Sequence, residues 1–352
     1  MRGAIALRKG NKDLLRQSAE GWIAAQPYLP DGFLMRATAN IADRQADAAE
    51  ADLQKAISLS PDDSRGYTGL AGLRVAEKKT AEAIKLYEQA LTKNPKDLQA
   101  LSGLVQIRLT DKQPAAAVAR IQQQISTVPD QPDLYVLLGR VQLELKNYDE
   151  AEKVLSRAVE LNPNNVDAIL ALTSAQLSRG SVDQAIDSYK RAIQQDPRDL
   201  RPYILLGSLE EGQGHWQDAQ QHYQKALDIQ PDNPAAANNL AYLLLSHNGN
   251  IDVALSLAET ARRQLPEVPN TADTLAWAYI SKGVYGLAID LLQEAVNASP
   301  QNATYHYHLG IAYQKNNDMA HAKEQFQKAL QLNPAGTDID TIRKALAEAQ
   351  GG

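Results

Sequence analysis

The sequence predicts an all-α protein, an α-solenoid built from antiparallel pairs of helices. Three observations lead to this prediction: prolines recur with a nearly constant spacing, small residues recur at fixed positions between them, and Gly- or Asn-containing dipeptides separate the two segments of each pair. A repeat this short cannot bury its hydrophobic face alone, so the stacking of successive repeats has to supply the core.

Ten of the sixteen prolines form one series with a period of 34 residues, which is broken once by an interval of 35. The series is Pro27, Pro61, Pro95, Pro129, Pro163, Pro197, Pro231, Pro266, Pro300 and Pro334. If each of these prolines is position 32 of a repeat, nine complete repeats follow. They are 30–63, 64–97, 98–131, 132–165, 166–199, 200–233, 234–268, 269–302 and 303–336.

Small side chains recur at positions 8, 20 and 27 of the repeats. Position 20 is alanine in all nine, position 27 is alanine in all but one, and position 8 is Gly or Ala in seven. Two helices cross closely only where small side chains let their backbones approach, while large side chains beside the crossing fill the seam. The pattern predicts a first helix over about positions 1–14 and a second over about 17–30.

The repeat 98–131 departs from this pattern. It has Val105 at position 8, Gln124 at position 27 and Pro114 where its second helix begins. We therefore expect a shortened second helix and the least stable repeat of the array. Between paired helices, a Gly or Asn is expected to adopt the left-handed conformation that ends the first helix. The dipeptides are Lys146-Asn147, Arg179-Gly180, Gln213-Gly214, Asn248-Gly249, Lys282-Gly283 and Asn316-Asn317.

The two ends are predicted to differ from the complete repeats. Residues 1–29 form a partial repeat in which Gly3 occupies position 8 and the first five positions are missing. We therefore expect a fragment of a longer protein or a misplaced start, with an exposed apolar edge from Met1 to Leu7 that self-associates. Residues 337–352 are expected to form a capping helix, with Thr337 at its N-cap, followed by a short tail.

With Pro at position 32 and small residues at 8, 20 and 27, the chain resembles the tetratricopeptide repeat family over almost its whole length. The resemblance implies a right-handed superhelix whose first helices line a concave groove. It also implies a protein that binds peptides or protein surfaces and does not catalyse a reaction. Residues 238–245, 273–279 and 286–292 further resemble the closing repeats of long bacterial members, some of which accompany exopolysaccharide export and PEP-CTERM sorting systems.

Composition and motifs argue against catalysis and most ligand classes. The chain has no cysteine, which excludes disulfides and thiolate metal sites, and it shows no nucleotide-binding or hydrolase motif, so no cofactor is expected. His306 and His308 are two residues apart, a spacing that points them to different helix faces and disfavours a metal site. The net charge of −6 disfavours nucleic acid, and no apolar run is long enough to span a membrane. The composition is compatible with the bacterial cytoplasm and with the periplasm.

Positions 2, 5, 6, 9, 12 and 13 usually face the groove in this family, and their chemistry changes along the chain. The side chains at these positions are small or chemically undistinctive in 98–131 and 166–199, but include aromatic, amide and acidic groups from residue 234 onward. The predicted partner-binding residues are Asn238, Asn239, Tyr242, Asp273, Trp277, Tyr307 and His308. Aromatic surface and amide groups suit an extended peptide, and Trp277 would be the anchor. The alternative is that Tyr242 and Trp277 only pack against the neighbouring first helix.

Three functions are compatible with the sequence. The first is a scaffold that binds a peptide or protein segment, placed by the resemblance in a bacterial envelope or exopolysaccharide-assembly complex. The second is the adaptor arm of a larger enzyme whose catalytic domain lies outside this chain, and the third is a ligand-binding or catalytic protein in its own right. Two groove chemistries known in the family are disfavoured: position 5 is never Lys, as the carboxylate clamp requires, and only Asn239 occupies position 6, where an asparagine ladder needs successive Asn residues.

Overall fold

The computed structural model describes residues 12–332 and 339–351, and over these two segments every regular element is an α-helix. Twenty helices are described there. They are α1 (Lys12–Ala25), α2 (Pro30–Ala42), α3 (Ala46–Leu59), α4 (Ser64–Ala76), α5 (Thr80–Lys93), α6 (Leu98–Thr110), α7 (Pro114–Thr127), α8 (Pro132–Glu144), α9 (Tyr148–Leu161), α10 (Val166–Ser178), α11 (Val182–Gln195), α12 (Arg201–Gly212), α13 (Trp216–Ile229), α14 (Pro234–Ser246), α15 (Ile251–Gln264), α16 (Pro269–Ser281), α17 (Tyr285–Ala298), α18 (Ala303–Lys315), α19 (Met319–Gln331) and α20 (Ile339–Gly351).

The helices form two compact units that divide between Ala185 and Ile186, inside α11. Inside each unit a first helix packs against the second helix of its own repeat, and that second helix packs against the first helix of the next repeat. Successive first helices also touch, as α14 and α16 do. This stacking of helix pairs is the arrangement of an α-solenoid, as the period of the sequence predicts.

Alanines lie where the helices of a repeat meet. The nine at position 20 have no exposed surface, and the eight at position 27 are at most 2% exposed. Those at position 20 are Ala49, Ala83, Ala117, Ala151, Ala185, Ala219, Ala254, Ala288 and Ala322. A side chain larger than a methyl group at these points would push two backbones apart, which explains why the residue type does not vary.

Glycine at position 8 leaves room for a large side chain at position 24. A β-carbon on Gly207 would lie 2.8 Å from the ring of Tyr223, and one on Gly310 would lie 2.5 Å from the ring of Phe326. Both rings are completely buried. The rings therefore occupy the space that a side chain on these two glycines would need.

The turn inside each hairpin is uniform in conformation but not in residue type. Position 15 has a positive φ in every repeat, and in the first four repeats it is a basic residue: Arg44, Lys78, Lys112 and Lys146. In one of the six predicted dipeptides the left-handed residue is therefore neither Gly nor Asn: it is Lys146 instead of Asn147. In the other five a Gly or an Asn has the positive φ, as the rule predicts. A short connection, of three residues in most repeats and four in 234–268, imposes this conformation, and the cost for a lysine is about 1–2 kcal/mol.

The prediction of a shortened helix in the repeat 98–131 is wrong. The α7 helix has 14 residues, the same length as α5 and α9, because Pro114 is its first residue and loses no hydrogen bond there. Gln124 is buried at position 27, where its side-chain amide donates to the carbonyl of Pro95 and its oxygen accepts from Arg120 at 2.8 Å. The polar side chain that replaces alanine is thus hydrogen-bonded, and Val105 is buried with 3% of its surface exposed.

The predictions for the two ends concern mostly residues outside the two described segments. The edge from Met1 to Leu7, together with Pro334 and Thr337, lies outside the described residues. Within them, α20 packs against α19, and Ile342 is completely buried beside Phe326. The last described helix therefore covers the apolar face of α19.

Candidate partner-binding groove

A pocket of about 230 Å³ opens between the first helices of three successive repeats in the second unit. Its walls come from α14, α16 and the start of α18, with one residue from the end of α12. The lining residues are Glu211, Asn238, Asn239, Tyr242, Asn270, Asp273, Thr274, Asn302, Thr304 and Tyr305. All ten side chains carry a hydrogen-bonding group, which makes the pocket strongly polar for a protein groove.

The repeat explains why these side chains converge. Asn238 and Asp273 both occupy position 5, and Asn270 and Thr304 both occupy position 2 of their repeats. Residues three or four apart share one face of a helix, so positions 2, 5, 6 and 9 of each first helix point to the same side. Stacking the helices then aligns equivalent positions into a continuous polar surface.

Asn238 is the least satisfied residue of the pocket. Its side chain is 5% exposed, and its Oδ1 atom is buried without a hydrogen-bond partner among the described residues. Leaving a buried acceptor unpaired costs about 1–3 kcal/mol, and most buried amides in folded proteins avoid this cost. A group that donates a hydrogen bond to Asn238 would recover that free energy.

Asp273 and His308 form a buried pair behind the pocket. The carboxylate oxygen Oδ1 of Asp273 lies 2.7 Å from Nδ1 of His308, and the two side chains are only 5% and 7% exposed. The indole of Trp277 stacks on the imidazole, with ring centroids 4.3 Å apart. The stacked indole constrains the imidazole, and the hydrogen bond from it constrains the carboxylate of Asp273, which lines the pocket.

Aromatic hydroxyls complete the walls. Tyr242 is 39% exposed at the rim, whereas Tyr305 is buried with 8% exposed. Burial raises the pKa of Tyr305, and the charge of Asp273 raises it further. Glu211 accepts a hydrogen bond of 2.8 Å from Tyr223, and burial followed by this carboxylate raises the pKa of that tyrosine. Both hydroxyls therefore stay protonated near neutral pH.

The structure brings together four of the seven residues predicted for the groove. Asn238, Asn239, Tyr242 and Asp273 line the pocket, whereas Trp277, Tyr307 and His308 do not. His308 is buried behind Asp273, with Trp277 stacked on it, which is the packing alternative for Trp277. Tyr307 packs toward Phe326, with ring centroids 6.0 Å apart.

Sequence reasoning missed six lining residues: Glu211, Asn270, Thr274, Asn302, Thr304 and Tyr305. Asn270 and Thr304 occupy position 2, Thr274 position 6 and Glu211 position 12, so the groove positions of the family could have identified these four. Asn302 ends its repeat and caps α18, where its Oδ1 accepts from the backbone of Thr304 at 3.0 Å. Its place in the pocket follows from the stacking and not from its position in a helix.

The first unit contains a larger groove, of about 710 Å³, that the sequence did not indicate. Its apolar wall includes Trp22, Leu34, Met35 and Ile41. Trp22 and Ile41 are 38% and 45% exposed. Three of its charged side chains are already engaged: Arg65 donates hydrogen bonds to Asp31 and to Asp63, and Asp97 accepts one from the hydroxyl of Thr68.

No cluster of His, Asp and Glu residues suited to a metal ion occurs in the part of the chain that the structure describes. His306, for example, is occupied by hydrogen bonds to Gln325 at 2.7 Å and to the carbonyl of Pro300 at 3.1 Å. In the same described segments, none of the helices has the length and apolar character needed to cross a membrane.

Family models match the chain in overlapping segments from residue 34 to 335. Models described as tetratricopeptide repeat match 34–97, 210–278 and 303–335, and one described as TPR repeat matches 277–317. The model of the cytochrome c-type biogenesis protein H TPR domain matches 121–237, and that of the anaphase-promoting complex, cyclosome, subunit 3, matches 76–158.

Solved structures share the fold at low sequence identity. The APC/C hetero-tetramer Cut9–Hcn1 aligns with a TM-score of 0.59 and 13% identity, covering 98% of this chain and 84% of that one. PilF of Pseudomonas aeruginosa aligns with a TM-score of 0.53 and 21% identity, covering 63% of this chain and 98% of that one. A tetratricopeptide repeat protein from Parabacteroides merdae gives a TM-score of 0.51 at 17% identity, covering 71% and 97%.

Among curated proteins, two relatives come from Escherichia coli. Cellulose synthase operon protein C of strain K12 is 31% identical over 97 residues, and the putative protein of that name from O157:H7 matches to the same degree. The match covers 28% of this chain and about 8% of the length of these relatives. Taken together, the 34-residue period, the stacked helix pairs and the family matches show that this chain belongs to the tetratricopeptide repeat family.

Proposed function

We propose that this protein is a non-catalytic scaffold that binds a segment of a partner protein in the groove of its second unit, between residues 234 and 336. The observation that carries the proposal is the pocket where three successive first helices present convergent polar side chains, one of them an unpaired buried amide. A polar, preformed concavity of this kind is suited to the backbone and side chains of a peptide.

The groove offers two kinds of contact. Tyr242 provides exposed aromatic surface, which ordinarily supplies much of the binding free energy at protein interfaces. Asn239 and Asn270 provide amide donors and acceptors that match an extended backbone. We also propose Trp277 as an anchor beside the pocket, in addition to its stacking on His308.

The relatives suggest a setting for the scaffold. The E. coli proteins belong by name to a cellulose synthase operon, so the proposed setting is an exopolysaccharide-assembly complex of a bacterial envelope. The alternative function is an adaptor arm of a larger enzyme. It is favoured by one observation, namely that the curated relatives are many times longer than the segment they share with this chain.

The test is quantitative capture of partners from the native organism with the wild-type chain and with two groove variants. The double variant Asn239→Ala/Tyr242→Ala is expected to lose partners that the wild type retains, because it removes both backbone contacts and aromatic surface. Trp277→Ala is expected to weaken the same partners by roughly 30-fold or more if it acts as an anchor of about 2 kcal/mol.

Tyr285→Ala is the control, because Tyr285 begins a second helix of the same unit and does not line the pocket. Circular dichroism checks that all variants stay folded. If the double variant and the wild type retain the same partners in equal amounts, the groove of 234–336 is not the binding surface.

A further inference from the structure

The pocket is lined by negatively charged and neutral hydrogen-bond acceptors, and no positively charged side chain lines it. Of its ten lining residues, Glu211 and Asp273 are carboxylates, and none is Lys, Arg or His. The amide oxygens of Asn238, Asn239 and Asn270 add further acceptors. An anion would meet two carboxylates there, whereas a cation would meet complementary charge.

The acceptors are available for a ligand. Asp273 uses Oδ1 to bind His308, and no hydrogen bond within the described residues reaches its other oxygen, Oδ2. Asn238 Oδ1 has no partner there either. Glu211 binds Tyr223 through Oε2 alone. Three acceptor groups from three successive repeats thus surround one small space.

The size of the pocket limits what can enter. Its volume of about 230 Å³ lies below the range of roughly 300–1,000 Å³ that holds a drug-sized ligand. A single side chain of a bound segment fits such a space better than a separate metabolite. The exposed rim beside Tyr242 leaves room for the backbone that carries it.

The walls favour a guanidinium over an ammonium group. Guanidinium carries five N–H donors in a plane, stacks on aromatic rings and is weakly hydrated, whereas ammonium is a compact and strongly hydrated charge. Tyr242 and Tyr305 supply aromatic rings, and the acceptors are spread over several residues instead of converging on one point. A planar fork can reach more of them at once.

We propose that this pocket takes an arginine side chain of the bound partner segment, with the guanidinium between Glu211 and Asp273 and a hydrogen bond to Asn238. The inference rests on the proposed function, since it assigns the chemical class of the group that the groove selects. Asp273 is the main charge partner, because His308 and the stacked Trp277 hold it in place.

The experiment uses the full chain and a library of acetylated, amidated peptides of neutral residues, in which one central position carries arginine, lysine or the neutral isostere citrulline. The bound pool is recovered and sequenced by mass spectrometry. Arginine peptides are expected to be enriched roughly ten- to hundredfold over citrulline peptides, as charge-assisted hydrogen bonds predict, with lysine between them.

Two isosteric variants locate the effect. Asp273→Asn keeps an oxygen that accepts from His308 but removes the charge, and Glu211→Gln does the same at the other wall. Each is expected to reduce the arginine preference at least several-fold. Glu259→Gln is the matched control. Glu259 is exposed on the second helix α15, so this substitution removes the same charge at a site away from the pocket.

The outcomes separate the two proposals. If peptides bind in a manner that requires Asn239 and Tyr242 but show no preference for arginine over citrulline, the inference is wrong while the groove function stands. Equal enrichment of lysine and arginine, or a preference that survives both Glu211→Gln and Asp273→Asn, also overturns the assignment of a guanidinium site. If no peptide depends on Asn239 and Tyr242, both proposals fail.

Discussion

Ala116 and Ala117 are neighbours in α7 with opposite surroundings. Ala117 occupies position 20 of its repeat and has no exposed surface, whereas Ala116 is exposed to solvent. The same side chain is therefore required at one site and optional at the next. The difference arises from the approach of the two helices of the hairpin, which leaves space for a methyl group and nothing larger.

We expect Ala117→Leu to lower the free energy of unfolding by about 1–3 kcal/mol, because overpacking a close helix crossing forces the backbones apart. Urea denaturation followed by circular dichroism measures the change. Ala116→Leu is the matched control and should shift stability by less than about 0.5 kcal/mol, since it adds a good helix former on the surface. Equal stability of the two variants would show that the repeat register is misassigned.

At this scale the sequence was informative wherever volume constrains the residue type. The alanines at positions 20 and 27 are buried as their recurrence predicts. The left-handed turn residues were harder to identify, because the three-residue connection imposes the conformation on Lys78 or Lys146 as readily as on Gly180. A pattern of residue types cannot reveal a constraint that comes from loop length.

At the scale of the element, the helix ends show how the array joins its repeats. Asp63 closes one repeat and caps α4, where its side chain accepts from the backbone N–H of Arg65 at 3.0 Å. The guanidinium of Arg65 bonds the same carboxylate at 2.6 Å and reaches back to Asp31 of the preceding repeat at 2.9 Å. The cap therefore links two successive first helices, α2 and α4.

We expect Asp63→Ala to lower the free energy of unfolding by about 0.5–2 kcal/mol at neutral pH, the usual cost of removing an N-cap. The hydrogen bond from Arg65 lowers the pKa of Asp63 below its ordinary value. Its contribution is therefore complete above the unfolded pKa, near about 4, and disappears as the pH falls through the lower pKa of the folded state.

Thermal unfolding of the wild type and Asp63→Ala over a pH series checks this prediction. The two curves should differ at neutral pH and converge in acid. Asp62→Ala serves as the control, because Asp62 is exposed and its ion pair with Lys93 should contribute little. A difference that persists unchanged at the lowest pH would mean that the charge of Asp63 is not what stabilises the cap.

The candidate site is also a property of elements, because side chains from several helices together form the pocket. Asn238 and Asp273 were predictable from position 5, where equivalent residues of successive first helices align. Glu211, near the end of α12, was likewise predictable from position 12, whereas Asn302, the cap of α18, enters the pocket only through the stacking of neighbouring repeats. By sequence a ring fits a groove and a helix interface equally well: Tyr242 lines the pocket, whereas Trp277 stacks on His308.

For the whole molecule, the repeat period predicts the fold over nearly the full chain, and the family matches from 34 to 335 agree with it. The period does not predict which partner binds, because the residues at groove positions can vary without disturbing the packing at the core positions. The groove in the first unit illustrates this: its apolar wall contains Ile41, which occupies groove position 12, and Trp22, which precedes the first complete repeat. In the second unit, the polar side chains that line the pocket around Asp273 are another such local variation.

The most direct test of the central claim is site-specific photocrosslinking in the native organism. A photoreactive phenylalanine analogue replaces Tyr242 in one form of the protein and Tyr285 in another, so the two probes differ only in facing the pocket or beginning a second helix. We expect a discrete crosslinked partner from position 242 that is weak or missing from position 285, and that is lost when Asn239→Ala is added. Equal crosslinking from both positions, or a partner captured only from position 285, would contradict a binding groove on the first helices of 234–336.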